Sequence, residues 1–180
     1  MRTLRQIPSK CRQRGVAAVE FALLSLFVFF PLMLGLIEIS RYMFLYNTMQ
    51  EVTRRAAREA TVRWTSDADQ TIAKRRGYFG KTHAPTDTSI DMDMISITYL
   101  NANLTEVSGA NLPLNAADNL SACNDALRTQ SCINTVKVEM SGVQFTPWIG
   151  RSSLFNSDLL KIAMPKATVY MYAESMGFTN

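Results

Sequence analysis

Glu20 stands near the start of an apolar run, Val16 to Ile39, in which the next charge is Glu38. A carboxylate inside such a run is costly in hydrocarbon and by default marks a functional position. Two kinds of chemistry are open to it. It can neutralise a cation in a place where neither is solvated, or it can reach back to the lipid headgroups, since a helix puts it only about 7 Å along the axis from Gly15. The other reactive pair is Cys123 and Cys132, in a polar stretch rich in Asn and Ser. Two thiols so close in sequence either oxidise to a disulfide or supply half of a metal site. The metal reading is short of ligands, because the single histidine is His83 and the third cysteine, Cys11, lies at the far end of the chain.

Catalytic chemistry has little else to draw on. The sequence holds no Gly-x-Ser-x-Gly elbow, phosphate loop or metal-binding signature. His83 sits among polar residues, and Asp91 and Asp93 read as turn or cap residues. The expectation is a protein that is not an enzyme and carries no cofactor and no metal.

The elements that position Glu20 follow from the run itself. About 24 apolar residues in a helix cover about 36 Å, enough to cross a hydrocarbon core of roughly 30 Å with some tilt. A secretory signal has a shorter apolar core and a small-residue cleavage site. Val16–Ile39 is too long and no Ala-x-Ala follows it, so the segment is expected to stay as a membrane helix. Before it come Arg2, Arg5, Lys10, Arg12 and Arg14 with no acid among them, and short basic flanks remain on the cytoplasmic side. The reading is a single-pass protein of the bacterial inner membrane with its N-terminus inside and its C-terminal domain in the periplasm.

The charge balance agrees with that topology. With the arm set aside, 14 of the 19 basic residues face 15 acidic ones, so the formal net charge of +4 belongs to the arm. Nucleic acid is therefore not expected as a partner. Export also decides between the cysteine readings: an oxidising periplasm pairs Cys123 with Cys132 in a structural disulfide. The chain-entropy argument values so short a loop at about 2–3 kcal/mol.

Beyond the span the helical spacing continues. Tyr42, Met43, Tyr46, Met49, Thr53, Ala56, Ala57, Ala60 and Trp64 recur at steps of three and four, with Glu51, Arg54, Arg55, Arg58, Glu59 and Arg63 on the other faces. This predicts one helix from Val16 to Trp64, with Tyr42 and Tyr46 at the membrane interface and a kink near Phe30–Pro31. Glu38 and Arg41, one turn apart, read as a solvated pair worth a few tenths of a kcal/mol. Ser66 to Asp69 offers a cap for a second helix near Gln70–Phe79.

From Met94 the period changes to two. Ile95, Ile97 and Tyr99, then Val136, Val138 and Met140, then Val169, Met171 and Ala173 alternate with polar or aromatic neighbours, and the phase shifts at Gly142. The stretches Asn101–Asn134 and Pro147–Leu160 read as excursions between strands. The predicted fold is α+β: a long N-terminal transmembrane and stalk helix packed on a small antiparallel β-sheet domain. Its parts are a basic cytoplasmic leader (1–15), a transmembrane helix (16–39), an amphipathic continuation (40–65) and one periplasmic domain (66–180).

Arg14-Gly15-Val16-Ala17-Ala18-Val19-Glu20-Phe21-Ala22, followed by Pro31, Gly35, Glu38 and Arg41, resembles the N-terminus of type IV prepilins, and most closely the TadE/TadF-like pseudopilins of the tight-adherence (Flp-type) pilus. The tail from Met164-Pro165 to Gly177 is similar to C-termini of that family. The resemblance implies cleavage by a prepilin peptidase between Gly15 and Val16. It also implies an assembly role for Glu20 and Phe21, in which the carboxylate of one subunit neutralises the new N-terminal ammonium of its neighbour. The implied partners are the inner membrane, the peptidase, other pseudopilins and pilus assembly components. The alternative is an uncleaved, membrane-anchored adhesive or sensory binding module.

Overall fold

The computed structural model describes residues 15–78, 90–148, 161–174 and 176–177. Two compact units divide between Ser40 and Arg41. The first is helical. Helix α1 (Val16–Leu24) begins directly after Gly15, passes through a π-helical turn at Ser25–Phe29 and continues as α2 (Phe30–Val62). The continuous helix of 47 residues contains a window apolar enough to cross a membrane, and none of that window is buried. The core helix of a soluble protein hides its apolar side chains; here Phe21, Leu24, Phe27 and Leu32 are all more than half exposed, as suits a helix surrounded by lipid.

The irregularity expected at Phe30–Pro31 falls one turn earlier. Proline lacks an N–H and its ring crowds the carbonyl four residues back. In this chain the turn before Pro31 widens, and the Phe30 N–H donates to the Ser25 carbonyl, five residues back, in place of the usual four.

The second unit is built on the outer half of α2. Leu45, Met49, Val52, Thr53, Ala56, Ala57, Ala60 and Thr61 are its buried residues, a stripe at steps of three and four. They face a three-stranded antiparallel sheet ordered β1 (Ile95–Leu100), β2 (Thr135–Met140), β5 (Ala167–Tyr172). The register aligns Ile95 with Met140 and Ala167, Ile97 with Val138 and Val169, and Tyr99 with Val136 and Met171. All nine therefore share the face toward the helix, and the strand-period expectation holds in all three segments. A second, two-stranded sheet pairs β3 (Gln144–Phe145) with β4 (Ile162–Ala163). It follows Gly142, whose φ of +82° suits glycine and which lets Val143 and Phe145 turn back into the core.

Helix α3 (Asp67–Gly77) is capped by Ser66, whose Oγ accepts from the Asp69 N–H at 3.2 Å and donates to Asp69 Oδ2 at 2.6 Å. The predicted end at Phe79 lies outside the described residues. Helix α4 (Ala116–Asn124) lies in the connection between β1 and β2, capped by Asn115.

The long helix ends at Val62, within two residues of the expected Trp64, and Thr61 O, in its last turn, accepts from the Glu174 N–H at 3.1 Å. Once the helical phase is lost, Arg63 turns inward and is only 1% exposed, with Nε 3.1 Å from Glu59 Oε2 and Nη1 3.8 Å from Asp69 Oδ1. Tyr42 and Tyr46 pack against the core of the second unit, where Tyr42 meets the Phe145 ring edge-on and the Tyr46 hydroxyl accepts from Gln50 Nε2.

Candidate functional site

Gly15, Val16, Glu20 and Phe21 come together within the first turns of α1. Gly15 occupies the N-cap position with φ −86° and ψ −27°, and its carbonyl accepts from the Val19 N–H at 3.2 Å. That backbone is open to any residue, and a Cβ added at Gly15 would meet nothing within 4 Å. Among the described residues nothing demands glycine there. Val16 and Glu20 stand one helical turn apart on the same face, and Glu20 and Phe21 are exposed, Phe21 by 73%.

The cysteine pair lies in the second unit. Cys123, in the last turn of α4, is joined to Cys132 by a disulfide with the Cα atoms 4.7 Å apart. A neighbouring contact strengthens the same junction. The Asn119 side chain accepts from the Ile133 N–H through Oδ1 at 2.8 Å and donates to the Ile133 carbonyl through Nδ2 at 3.3 Å. The side-chain amide mimics a strand partner, and covalent and hydrogen-bonded links together pin α4 to the entry of β2. An asparagine inside a polar, helical stretch gave no sequence signal for this role.

On the outward face of the sheet, Glu139 receives Lys166 Nζ at 2.8 Å and Lys137 Nζ at 2.9 Å. These hydrogen bonds, the one from Lys166 foremost, hold the Glu139 carboxyl below its ordinary range. The Lys137 ammonium is raised in turn, chiefly by its bond to Glu139. Burial, assisted by Asp69, pushes the Tyr99 hydroxyl well above its ordinary value.

Chemistry of the metal-binding kind finds no purchase among the described residues, where no group of three His, Cys, Asp or Glu side chains is placed to hold an ion. His83 lies outside the described residues. Asp91 caps a short 3-10 turn by accepting from the Met92 N–H, and Asp93 sits within that turn.

The arrangement that remains is an exposed apolar helix with a carboxylate one turn from its start, and it is matched by the model of a protein family described as TadE-like protein, over residues 15–58. The chain carries a TadE-like N-terminal segment. The match opens on Gly15, includes Val16, Glu20 and Phe21, and runs through α1, the π-helical turn and most of α2. It stops before the sheet. No curated protein and no solved structure matches the chain. The one apolar N-terminal helix suggests single-pass membrane anchoring.

Proposed function

We propose that this TadE-like chain is a minor pilin or pseudopilin that takes part in assembling a tight-adherence (Flp-type, type IVb-like) pilus, and that a prepilin peptidase cuts it after Gly15. Residues 1–15 are the cytoplasmic leader, 16–39 the span, 40–65 its amphipathic continuation and 66–180 the periplasmic domain. The observation that carries this reading is the position of Gly15. Neither its backbone angles nor its surroundings among the described residues call for glycine, yet the family match begins on it and helix α1 starts at the next residue. A requirement imposed by an enzyme that reads the chain accounts for a glycine that the fold leaves unexplained.

Cleavage changes the electrostatics of the helix start. It removes Arg2, Arg5, Lys10, Arg12 and Arg14 and leaves an ammonium on Val16, at the positive end of the helix dipole and one turn from Glu20. A carboxylate and an ammonium drawn into a low-dielectric assembly cost several kcal/mol each unless they meet. A neighbouring subunit at the correct axial offset supplies the partner, and a misaligned one leaves both charges stranded. The ion pair thereby selects register.

The test is the N-terminus of the protein isolated from its native membranes, read by intact mass and by its first peptide. Val16 as the first residue is the expected result, and replacement of Gly15 by a bulky residue should yield only the full-length chain. A mature protein that keeps Met1 would overturn the assignment and favour the anchored adhesive or sensory module.

A further inference from the structure

The three-stranded sheet has two outer edges, and among the described residues the chain covers only one of them. On β1 the Tyr99 carbonyl accepts from the Val107 N–H at 2.8 Å, and Leu100 bridges to Glu106. Strand β5 ends the sheet on the other side. The Ala173 N–H donates to the Asn134 carbonyl at 2.8 Å, and the register sets Thr135 opposite Tyr172. Opposed residues of an antiparallel ladder alternate between bonded and unbonded pairs. Val169, Met171 and Ala173 therefore bond β2, while Thr168, Tyr170 and Tyr172 turn their N–H and C=O groups outward. The edge closes at Glu174, whose N–H is taken by the Thr61 carbonyl of α2.

A groove of about 650 Å³ lies between this edge and α2, lined by Arg58, Thr61 and Val62 on the helix and by Met171 and Tyr172 on the strand, with Glu174 at its closed end. Val169 and Met171, on the helix-facing side of β5, are only half buried. Tyr170 and Tyr172, on the other side, are 56% and 79% exposed. Ion pairs on the adjoining helix surface join Arg55 to Glu51 and Arg76 to Glu59. Arg58 belongs to neither pair and is exposed one turn before Thr61.

We propose that the outer edge of β5 docks an extended segment of a partner protein, which adds as a fourth strand and sets a carboxylate beside Arg58. Backbone donors and acceptors at alternate residues are the pattern that an extended chain completes. Apolar side chains on the helix-facing side of the added strand would cover Val169 and Met171. Arg58 lies on that same side, so charge complementarity calls for an acidic residue there, which the guanidinium can hold through two N–H groups. Glu174 confines that residue to the open part of the groove, since a carboxylate at the closed end would meet a like charge. A second copy does not supply the match: its β5 would present Ala167, Val169, Met171 and Ala173 on that side, none of them acidic. The site lies wholly within the second unit and does not depend on cleavage after Gly15.

The experiment places the photo-crosslinking amino acid benzoylphenylalanine at Tyr170 or at Tyr172 of the full chain in its native cells and identifies the joined peptides by mass spectrometry. The expected product links β5 to a segment of another protein that carries Asp or Glu among alternating apolar residues. Arg58→Glu should lower the yield of that product at least about tenfold and leave the thermal midpoint of the purified chain unchanged, while Arg58→Lys keeps part of the yield. Tyr170→Pro removes an outward N–H and leaves the bonds to β2 in place, so it should abolish the product formed from position 172. No product, or product only within the chain or with a second copy, would overturn the proposal, as would a yield that Arg58→Glu leaves unchanged. A Tyr170→Pro chain with an unchanged midpoint that still gives the product would overturn strand addition; where that variant unfolds, the Arg58→Glu yield decides.

Discussion

Gly77 approaches Ala56 so closely that a Cβ built on the glycine would fall 2.8 Å from the Ala56 Cβ, 3.0 Å from the Val52 carbonyl oxygen and 3.1 Å from the Ala56 nitrogen. Asp69, Ala73 and Gly77 are the buried residues of α3, and they lie at steps of four. Small residues on this face let α3 seat against α2. The atoms in the way of a new Cβ are backbone or a methyl group, with no flexible side chain able to yield.

Gly77→Ala is therefore expected to destabilise the domain. Alanine's better helix propensity favours the substitution by up to about 1 kcal/mol, and overpacking in a tight contact costs about 1–3 kcal/mol. The contact wins, and the urea midpoint followed by near-ultraviolet circular dichroism should fall. An unchanged or raised midpoint would show that α3 shifts away from α2 at no cost.

Asn119→Ala leaves the buried N–H and C=O of Ile133 without the side chain that satisfies them, for an expected loss of about 1–3 kcal/mol. Replacing Cys123 and Cys132 together by serine is expected to cost about 2–3 kcal/mol. Both changes loosen the attachment of α4 to the start of β2, so their effects should not add. A double-mutant cycle on unfolding free energies checks this; strict additivity would show that the two links act independently.

Glu139 gives the acid response a specific origin. Its carboxyl titrates below the ordinary 4.5 in the folded chain because Lys166 and Lys137 bond its ionised form. A depressed folded value means that this contribution is complete above the unfolded value and is lost as pH falls through the folded one. Lys166 is 69% exposed, so screening keeps the contribution below about 1 kcal/mol. Glu139→Gln should flatten the fall in stability below about pH 4.5 and change little at neutral pH. An unaltered acid slope in the variant would assign the acid response to other carboxylates, with Asp118, depressed chiefly by the Leu114 N–H and then by Arg128, and Glu51, depressed chiefly by Arg55, next in line.

Features that repeat were legible in the sequence, and features made by single contacts were not. The stripe from Leu45 to Thr61 and the alternation of Ile95, Ile97 and Tyr99 declare a helix and a strand because burial imposes a period on many residues at once. Strands β3 and β4 hold two residues each, too few for alternation to show. Arg63 looked like one more arginine on a charged face, since its inward turn depends on where the helix ends and on Asp69 of α3. Pro31 gave away a disturbance but not that the turn before it would absorb the strain. At the helix start, Gly15, Glu20 and Phe21 stood out by type and spacing, and the fold adds that nothing among the described residues constrains Gly15. Trp148 carried no period and no motif, yet its ring centroid lies 5.5 Å from the Arg41 guanidinium carbon.

Glu20→Ala separates membrane residence from assembly. The carboxylate is exposed on α1, so no contact within the described chain depends on it, and removing a charge from an apolar helix favours insertion. The variant should therefore reach the membrane and be processed like the wild type. In an assembled state, deleting one member of a desolvated pair leaves the Val16 ammonium alone, at a cost of about 3–5 kcal/mol. That corresponds to a loss of partner affinity of more than about 100-fold. Co-purification with partner pseudopilins and counts of pili per cell would read this directly, and Glu20→Asp should recover part of both because the charge is kept on a shorter stem. Wild-type piliation by Glu20→Ala would assign the carboxylate to the headgroup layer and remove it from assembly.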